Sequence, residues 1–124
     1  MNVIILDSQS GPLTHPPNAD LIISFRYRHI IPSNILEAAR GRMVNVHCSL
    51  LPWQRGAHPV FWAWYEGPGH GITIHDIDTG IDTGPILVQQ PIDLDPELHT
   101  YKTAWEYVNK CAEALLVAIT PCLL

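Results

Sequence analysis

The hydrophobic positions of the chain fall into short runs with turn-forming residues between them. Residues 2–6, 20–25 and 43–47 are largely apolar. Continuous apolar runs of this length are typical of strands that are covered on both faces in a parallel sheet. Segment 7–19 is rich in Pro, Ser and Asn, and we predict that it forms a loop.

Three other segments have the spacing of helices. Residues 33–40 lie between the second and third predicted strands, and residues 58–66 carry a Pro in their first turn, where Pro is tolerated. From Tyr101 to Ile119 the apolar residues recur at helical spacing, and Pro121 is predicted to end this closing helix. Strand, helix and strand in this order predict a right-handed crossover between parallel neighbours, which places their ends at one sheet edge.

Two further segments predict an antiparallel hairpin. Residues 71–78 alternate between apolar and polar positions, as a half-exposed strand does, and residues 85–94 are the expected partner across an Asp- and Gly-rich loop. The elements together predict an α/β fold with an open sheet, mostly parallel with an antiparallel hairpin, flanked by helices. The length of 124 residues fits one domain, 1–124.

The composition indicates a folded globular chain. Apolar residues make up 47% and charged residues 15% of the sequence, so there is ample surface to bury and little charge to keep the chain expanded. The net charge is -5 and the basic residues form no stripe, which argues against nucleic-acid binding. The three cysteines lack Cys-x-x-Cys spacing, which fits a reducing compartment, so we expect a cytoplasmic protein. The apolar N-terminal run is too short for a membrane span.

Asn45 and His47 end the third predicted strand one residue apart. Alternate side chains of a strand leave the same face, separated by roughly 6.5 Å, so both can address one ligand. An amide donor can stabilise an oxygen on which negative charge develops, and an imidazole can accept and return a proton, which suits acyl transfer. The spacing alone is more typical of a core His bonded to a backbone carbonyl beside an Asn at a strand end.

Two longer motifs make the prediction more specific. The stretches "VNVHCSLLPWQRG" and "GITIHDIDTGIDTGPIL" resemble the folate-dependent formyltransferases, in which an Asn-x-His-x-Ser-Leu-Leu-Pro motif and an Asp in a later loop form the active centre. The resemblance runs from about Asp20 to Leu116. It implies that Asn45, His47 and Asp82 are the catalytic residues and that no metal is required.

The resemblance also implies a reaction, in which a formyl group moves from 10-formyltetrahydrofolate to an amine. Asn45 would donate a hydrogen bond to the tetrahedral oxyanion, and His47 would stabilise it once charged. Asp82 would orient His47 and help to take the proton that the amine loses.

The segment "FRYRHIIP" matches the family segment that lies along the pterin ring. The resemblance therefore implies that His29, Ile30 and Ile31 line the cofactor, together with Gly80 and Ile81 from the opposite loop. An ordinary strand-to-helix connection explains the Pro and Ile residues equally well. The Leu51-Pro52 peptide bond is a candidate for the cis form, which is found in tight turns.

The segment that follows the first motif bears on the identity of the acceptor. The stretch "RGAHPVFWAWYEG" is most similar to the sugar N-formyltransferases, which implies a nucleotide-linked amino sugar as the small-molecule acceptor. His58 and Trp62 are candidates for the acceptor pocket, although packing of the helix against the sheet is the more typical role for a residue such as Trp62. Glycinamide ribonucleotide and methionyl-tRNA stay open as alternative acceptors.

A metal hydrolase is a competing hypothesis, because His58, His70 and His75 accompany Asp76 and Asp78. Their spacing fits no standard zinc pattern, so we predict no metal site and expect His75 to pack beside the loop.

The N-terminal part departs from the family, whose members place several more strands and helices before the segment that starts at Asp20. We therefore expect a truncated Rossmann-like sheet. A natural minimal form, a fragment, or a homo-oligomer in which the sheet is completed by another copy would each explain it. A non-catalytic folate-binding module is the alternative to an enzyme.

Overall fold

A computed structural model describes residues 1–67, 69–80 and 82–124. Its strands are β1 (Val3–Leu6), β2 (Leu21–Phe25), β3 (Met43–His47), β4 (His70–Asp76) and β5 (Ile86–Ile92). Its α-helices are α1 (Ser33–Ala38), α2 (Pro59–Glu66) and α3 (Tyr101–Leu123), and a 3-10 turn spans Pro96–Leu98. Every predicted strand and helix is present, with shifts of a few residues at the ends.

The five strands form one sheet in the order β1-β2-β3-β4-β5. The pairs β1–β2 and β2–β3 are parallel, whereas β3–β4 and β4–β5 are antiparallel. The predicted fold class is confirmed, and the antiparallel part is larger than one hairpin because β4 also runs against β3.

Helix α3 begins at a capping box and ends later than predicted. The Thr100 hydroxyl accepts from the backbone N–H of Thr103, and the Thr103 hydroxyl accepts from the N–H of Thr100. The prediction that Pro121 ends the helix is wrong, because α3 continues to Leu123. Pro121 removes one hydrogen bond to the carbonyl of Val117, which lies on an exposed turn where water can replace it.

Apolar side chains cover both faces of the sheet. Leu21, Ile23 and Phe25 of β2 join the main core, which packs under α2 and α3. Ile22 points the other way, into a second cluster that includes Met43. On β3 the alternation leaves the two polar side chains of the strand on the same face as Met43, at the edge where β3 ends.

Candidate active site

Asp82 lies between two imidazole rings. Its Oδ2 is 3.5 Å from Nδ1 of His47, and its Oδ1 is 3.5 Å from Nε2 of His75. Asn45 Nδ2 donates to Asp82 Oδ1 at 3.4 Å and lies 3.2 Å from His75 Nε2. The structure therefore brings together the three residues that the motifs predict, and it adds His75 as a fourth.

The loop between β4 and β5 places the Asp82 carboxylate. Asp82 has a φ of 53°, in the left-handed region, and the backbone N–H of Gly56 donates to its Oδ2 at 2.8 Å. Gly84 packs so closely against the backbone of Asp76 that a Cβ there would overlap the Asp76 carbonyl oxygen. A glycine is therefore required for this loop to return to the sheet beneath Asp82.

The tautomers of both histidines follow from their backbone contacts. His47 Nε2 is 2.6 Å from the carbonyl oxygen of Gln54, and His75 Nδ1 is 2.8 Å from that of Asp76. A carbonyl oxygen only accepts, so these two ring nitrogens carry hydrogen and donate. The remaining nitrogen of each ring, which gains or loses a proton, is the one that faces Asp82.

The surroundings of the two histidines shift their pKa values in opposite directions. Burial lowers the pKa of His47, and the Asp82 carboxylate and the Gln54 carbonyl offset this only in part. Burial also acts to lower the pKa of His75, but the hydrogen bond with Asp82 and the bond to the Asp76 carbonyl outweigh it, so the pKa of His75 is raised. His47 is therefore the neutral base of the pair, and His75 is the ring that takes up a proton more readily.

The carboxyl of Asp82 is held in its charged form. Burial acts to raise its pKa, but the His75 hydrogen bond and the Gly56 N–H lower it overall, and so does the charge of His47 whenever that ring is protonated. At neutral pH the group can provide a carboxylate, a proton-accepting imidazole and an amide donor around one point. These are the requirements of acyl transfer to an amine.

Two cavities meet at this group. The larger, of about 700 Å³, is lined by Asn45, His47 and Asp82 and extends past His58 to residues of α3. The smaller, of about 320 Å³, is lined by Asn45, His75 and Asp82 from the same group. Reactants held in the two cavities would therefore come together at Asn45 and Asp82.

The predicted cofactor residues lie beside this junction. His29 and Ile30 line both cavities, and Ile31 and Gly80 line the smaller one. Ile81 lies outside the described residues. The Leu51-Pro52 peptide bond is cis, as predicted.

The two predicted acceptor residues lie in different surroundings. His58 lines the larger cavity. Trp62 is not among the described residues that line either cavity, and its half-exposed ring contacts Phe61 and Tyr65 on the outer side of α2. A role for Trp62 in acceptor binding stays a prediction.

His75 is the site residue that sequence reasoning missed. Only the register of the folded sheet identifies it, because Asn45 and His75 are paired directly across β3 and β4. No group of three or more His, Cys, Asp and Glu side chains that could hold a metal ion occurs in the described part of the chain. Within the same residues no helix is long and apolar enough to cross a membrane.

Comparison with known sequences identifies relatives of this chain. A sequence model described as formyl transferase matches residues 7–120. The methionyl-tRNA formyltransferase of Geobacter metallireducens is 41% identical over 81 residues, which cover 64% of this chain and 26% of that protein. The methionyl-tRNA formyltransferase of Rickettsia rickettsii is 40% identical over 101 residues, covering 81% of this chain and 32% of that protein. The chain thus spans about a quarter to a third of the length of these relatives.

Solved structures of formyltransferases are also similar to this chain. The formyltransferase PseJ from Anoxybacillus kamchatkensis, in complex with UDP-4,6-dideoxy-4-formamido-L-AltNAc and tetrahydrofolate, is 40% identical with a TM-score of 0.81, covering 95% of this chain and 60% of that one. Phosphoribosylglycinamide formyltransferase from Bacillus halodurans is 33% identical with a TM-score of 0.72, covering 78% of this chain and 50% of that one.

Proposed function

Because the chain belongs to the formyl transferase family, we propose that it is an enzyme that transfers a formyl group from 10-formyltetrahydrofolate to an amine. One observation carries the proposal: Asn45, His47 and Asp82 converge where two cavities meet. Two reactants that must exchange a one-carbon group need adjacent pockets with the chemistry between them.

The smaller cavity suits the folate. The apolar side chains of Ile30, Ile31 and Leu36 line it together with polar groups of the loop at Asp78 and Gly80. A flat heterocycle needs both, because its faces are apolar and its edge carries donors and acceptors. The one-carbon group would then reach Asn45. PseJ was solved with tetrahydrofolate, which supports a folate as the cofactor.

The residues of the site account for each step. The amine nitrogen attacks the formyl carbon, a carbon–nitrogen bond forms, and the carbonyl electrons move to the oxygen, where the amide of Asn45 donates to the developing negative charge. His47 accepts the amine proton at Nδ1, and the Asp82 carboxylate stabilises the imidazolium. When the bond to the folate nitrogen breaks, the proton on His47 passes to that nitrogen and the base is restored.

A nucleotide-linked amino sugar is the proposed acceptor. PseJ, which is solved with a UDP-linked formamido sugar, is 40% identical and aligns with 95% of this chain. His58 lies in the larger cavity, where the amine would enter. Methionyl-tRNA and glycinamide ribonucleotide are the competing acceptors, as the names of the other relatives indicate.

A transfer assay tests the function. The protein is incubated with 10-formyltetrahydrofolate and, separately, with a UDP-linked amino sugar, glycinamide ribonucleotide and methionyl-tRNA, while the release of tetrahydrofolate and the mass of the product are followed. We expect turnover with the sugar, and Asn45→Ala should reduce it about 10²–10³-fold. The exposed Arg40→Ala should leave it unchanged. Full turnover by His47→Ala would refute the mechanism.

A non-catalytic folate-binding module is the second candidate, because folate binding needs only the smaller cavity, whereas transfer also needs an acceptor in the larger one. Thermal unfolding separates the two functions, since a ligand that binds only the native state raises the melting temperature. Stabilisation by tetrahydrofolate and by a nucleotide-sugar favours the enzyme. Stabilisation by tetrahydrofolate alone, without turnover of any amine, favours the module.

A further inference from the structure

The larger cavity contains a cationic side chain that the formyl-transfer steps do not use. Arg26 directly follows β2 and lines this cavity together with His47 and Asp82. Its φ is 60°, in the left-handed region that residues other than glycine seldom adopt. Such backbone strain is characteristic of functional positions, so the side chain requires an explanation.

The guanidinium of Arg26 is fixed by its neighbours. Nη1 donates to Asn109 Oδ1 at 3.3 Å, and Cζ lies 4.6 Å from the centre of the Phe25 ring and 5.6 Å from that of Trp105. Nη2 is 3.7 Å from Glu113 Oε1, but both side chains of this ion pair are substantially exposed. An exposed pair is weak, so Glu113 leaves the charge available to a stronger anion.

Asn109 is the positioning residue for this cation. It is buried on the inner face of α3, and its Nδ2 donates to the Trp105 carbonyl oxygen at 2.8 Å, which leaves Oδ1 to accept from Arg26. A buried amide costs free energy unless it is hydrogen-bonded. The neighbouring Cys48 supplies no competing anion, because burial raises the pKa of its thiol to about 12.

We propose that Arg26 binds a phosphate group of the acceptor, an inference that rests on the proposed function of the same cavity. A guanidinium offers five N–H donors in a planar fork that matches two phosphate oxygens. Among the described residues its one hydrogen-bond acceptor is Asn109, so the remaining donors can turn to a ligand. Tyr101 and Trp105 line the same cavity and offer flat apolar surfaces to a ring beside the phosphate.

A purely structural role for Arg26 explains fewer observations. A side chain that only joined β2 to α3 would be enclosed by them, whereas 40% of the Arg26 side chain is exposed and it borders the cavity. The phosphate assignment predicts selectivity for anionic acceptors, which a structural contact does not.

Isothermal titration calorimetry tests the assignment. Ribose 5-phosphate, UDP and uridine are titrated into the tetrahydrofolate-saturated protein, so that a sugar monophosphate and a nucleoside diphosphate are compared with a probe that has no phosphate. We expect both phosphate probes to bind and Arg26→Ala to weaken them about 10- to 100-fold, as the loss of a charged hydrogen bond predicts. Uridine affinity should not change in Arg26→Ala.

The control variants separate the phosphate contact from a general effect. Arg26→Lys keeps the charge but loses the fork, so it should lose less affinity than Arg26→Ala, and Asn109→Ala should also weaken the phosphate probes. Arg40→Ala removes one exposed charge elsewhere and should change nothing. The assignment would be overturned if wild type and Arg26→Ala bound the phosphate probes equally, or if wild type bound neither probe.

The proposed function is tested separately in the same titrations. Retained tetrahydrofolate affinity in Arg26→Ala, together with loss of the phosphate probes, supports the assignment to the acceptor. If wild type turned over formyl groups but did not distinguish UDP from uridine, the phosphate assignment would fail and formyl transfer would stand. Absence of tetrahydrofolate binding by wild type would instead refute the proposed function.

Discussion

Asn45 and His75 face each other across the antiparallel pair of β3 and β4, with Asn45 Nδ2 3.2 Å from His75 Nε2. This cross-strand pair brings an imidazole to one oxygen of Asp82, while His47 lies at the other. Protonation of either ring therefore shifts the pKa of the other, and His47, His75 and Asp82 titrate as a coupled unit.

The first prediction concerns His75. In His75→Ala the Asp82 carboxylate loses one partner, so we expect a rate about 10- to 100-fold lower, a smaller loss than in His47→Ala. Burial is the main cause of the low pKa of His47, but the charge of His75 also contributes, so removal of His75 should raise that pKa. The base works only when neutral, so the acidic limb of the pH profile of kcat/KM should move to higher pH.

The pH profile distinguishes this role from a structural one. Loss of stability alone would lower the amount of active enzyme without moving the acidic limb. His75→Gln restores a polar group without a titrating ring and should shift the limb in the same direction as His75→Ala. An unshifted limb in both variants would contradict the coupling.

The second prediction concerns the charge of Asp82. Asp82→Asn keeps the shape of the side chain and an oxygen that can accept from the Gly56 N–H, but it removes the charge that stabilises protonated His47. We expect kcat to fall about 10²-fold or more while tetrahydrofolate affinity changes little. Stopped-flow turnover and equilibrium binding measure the two effects. A kcat within twofold of wild type would show that the carboxylate charge is not used.

The third prediction concerns the loop that carries Asp82. In Gly84→Ala the new Cβ would overlap the Asp76 carbonyl oxygen, so the loop must shift. We expect a loss of about 1–3 kcal/mol in the free energy of unfolding and reduced turnover, because the carboxylate leaves its position between the rings. Urea unfolding and the transfer assay measure both. Gly11→Ala is the matched control, since a Cβ there meets nothing within 4 Å.

Local pattern predicts the elements of this fold better than it predicts their pairing. The buried strands β2 and β3 follow from their apolar runs, and Asn45 and His47 share a face because of strand alternation alone. The pairing of β3 with β4 joins segments separated by more than twenty residues, and no local pattern encodes it. His75 was therefore expected only to pack beside the loop. The exposure of Trp62 likewise depends on how α2 is rotated against the sheet.

The last prediction concerns the stability of the protein in acid. His70 is buried beside Trp64, and its Nδ1 has no hydrogen-bond partner among the described residues. Burial lowers the pKa of His70, so on acidification the unfolded state, with an ordinary His pKa near 6.5, takes up a proton before the folded state does. The unfolded state then binds more protons, and the free energy of unfolding must fall as the pH drops below about 6.5.

Urea unfolding at pH 7 and pH 5 measures this contribution. His70→Phe keeps a ring but cannot titrate, so its loss of stability between the two pH values should be smaller than in wild type, by up to about 1.4 kcal/mol per pH unit. His75 acts in the opposite sense, because its raised pKa gives stability that is present below pH 6.5 and is lost as the pH rises. The contribution of His75 is the same in His70→Phe and in wild type, so it cancels in the difference between them. His15→Gln replaces an exposed imidazole and is the control, and its pH dependence of stability should match that of wild type. Equal pH dependence in His70→Phe and wild type would show that the pKa of His70 is the same in the folded and unfolded states, and it would contradict the lowering by burial.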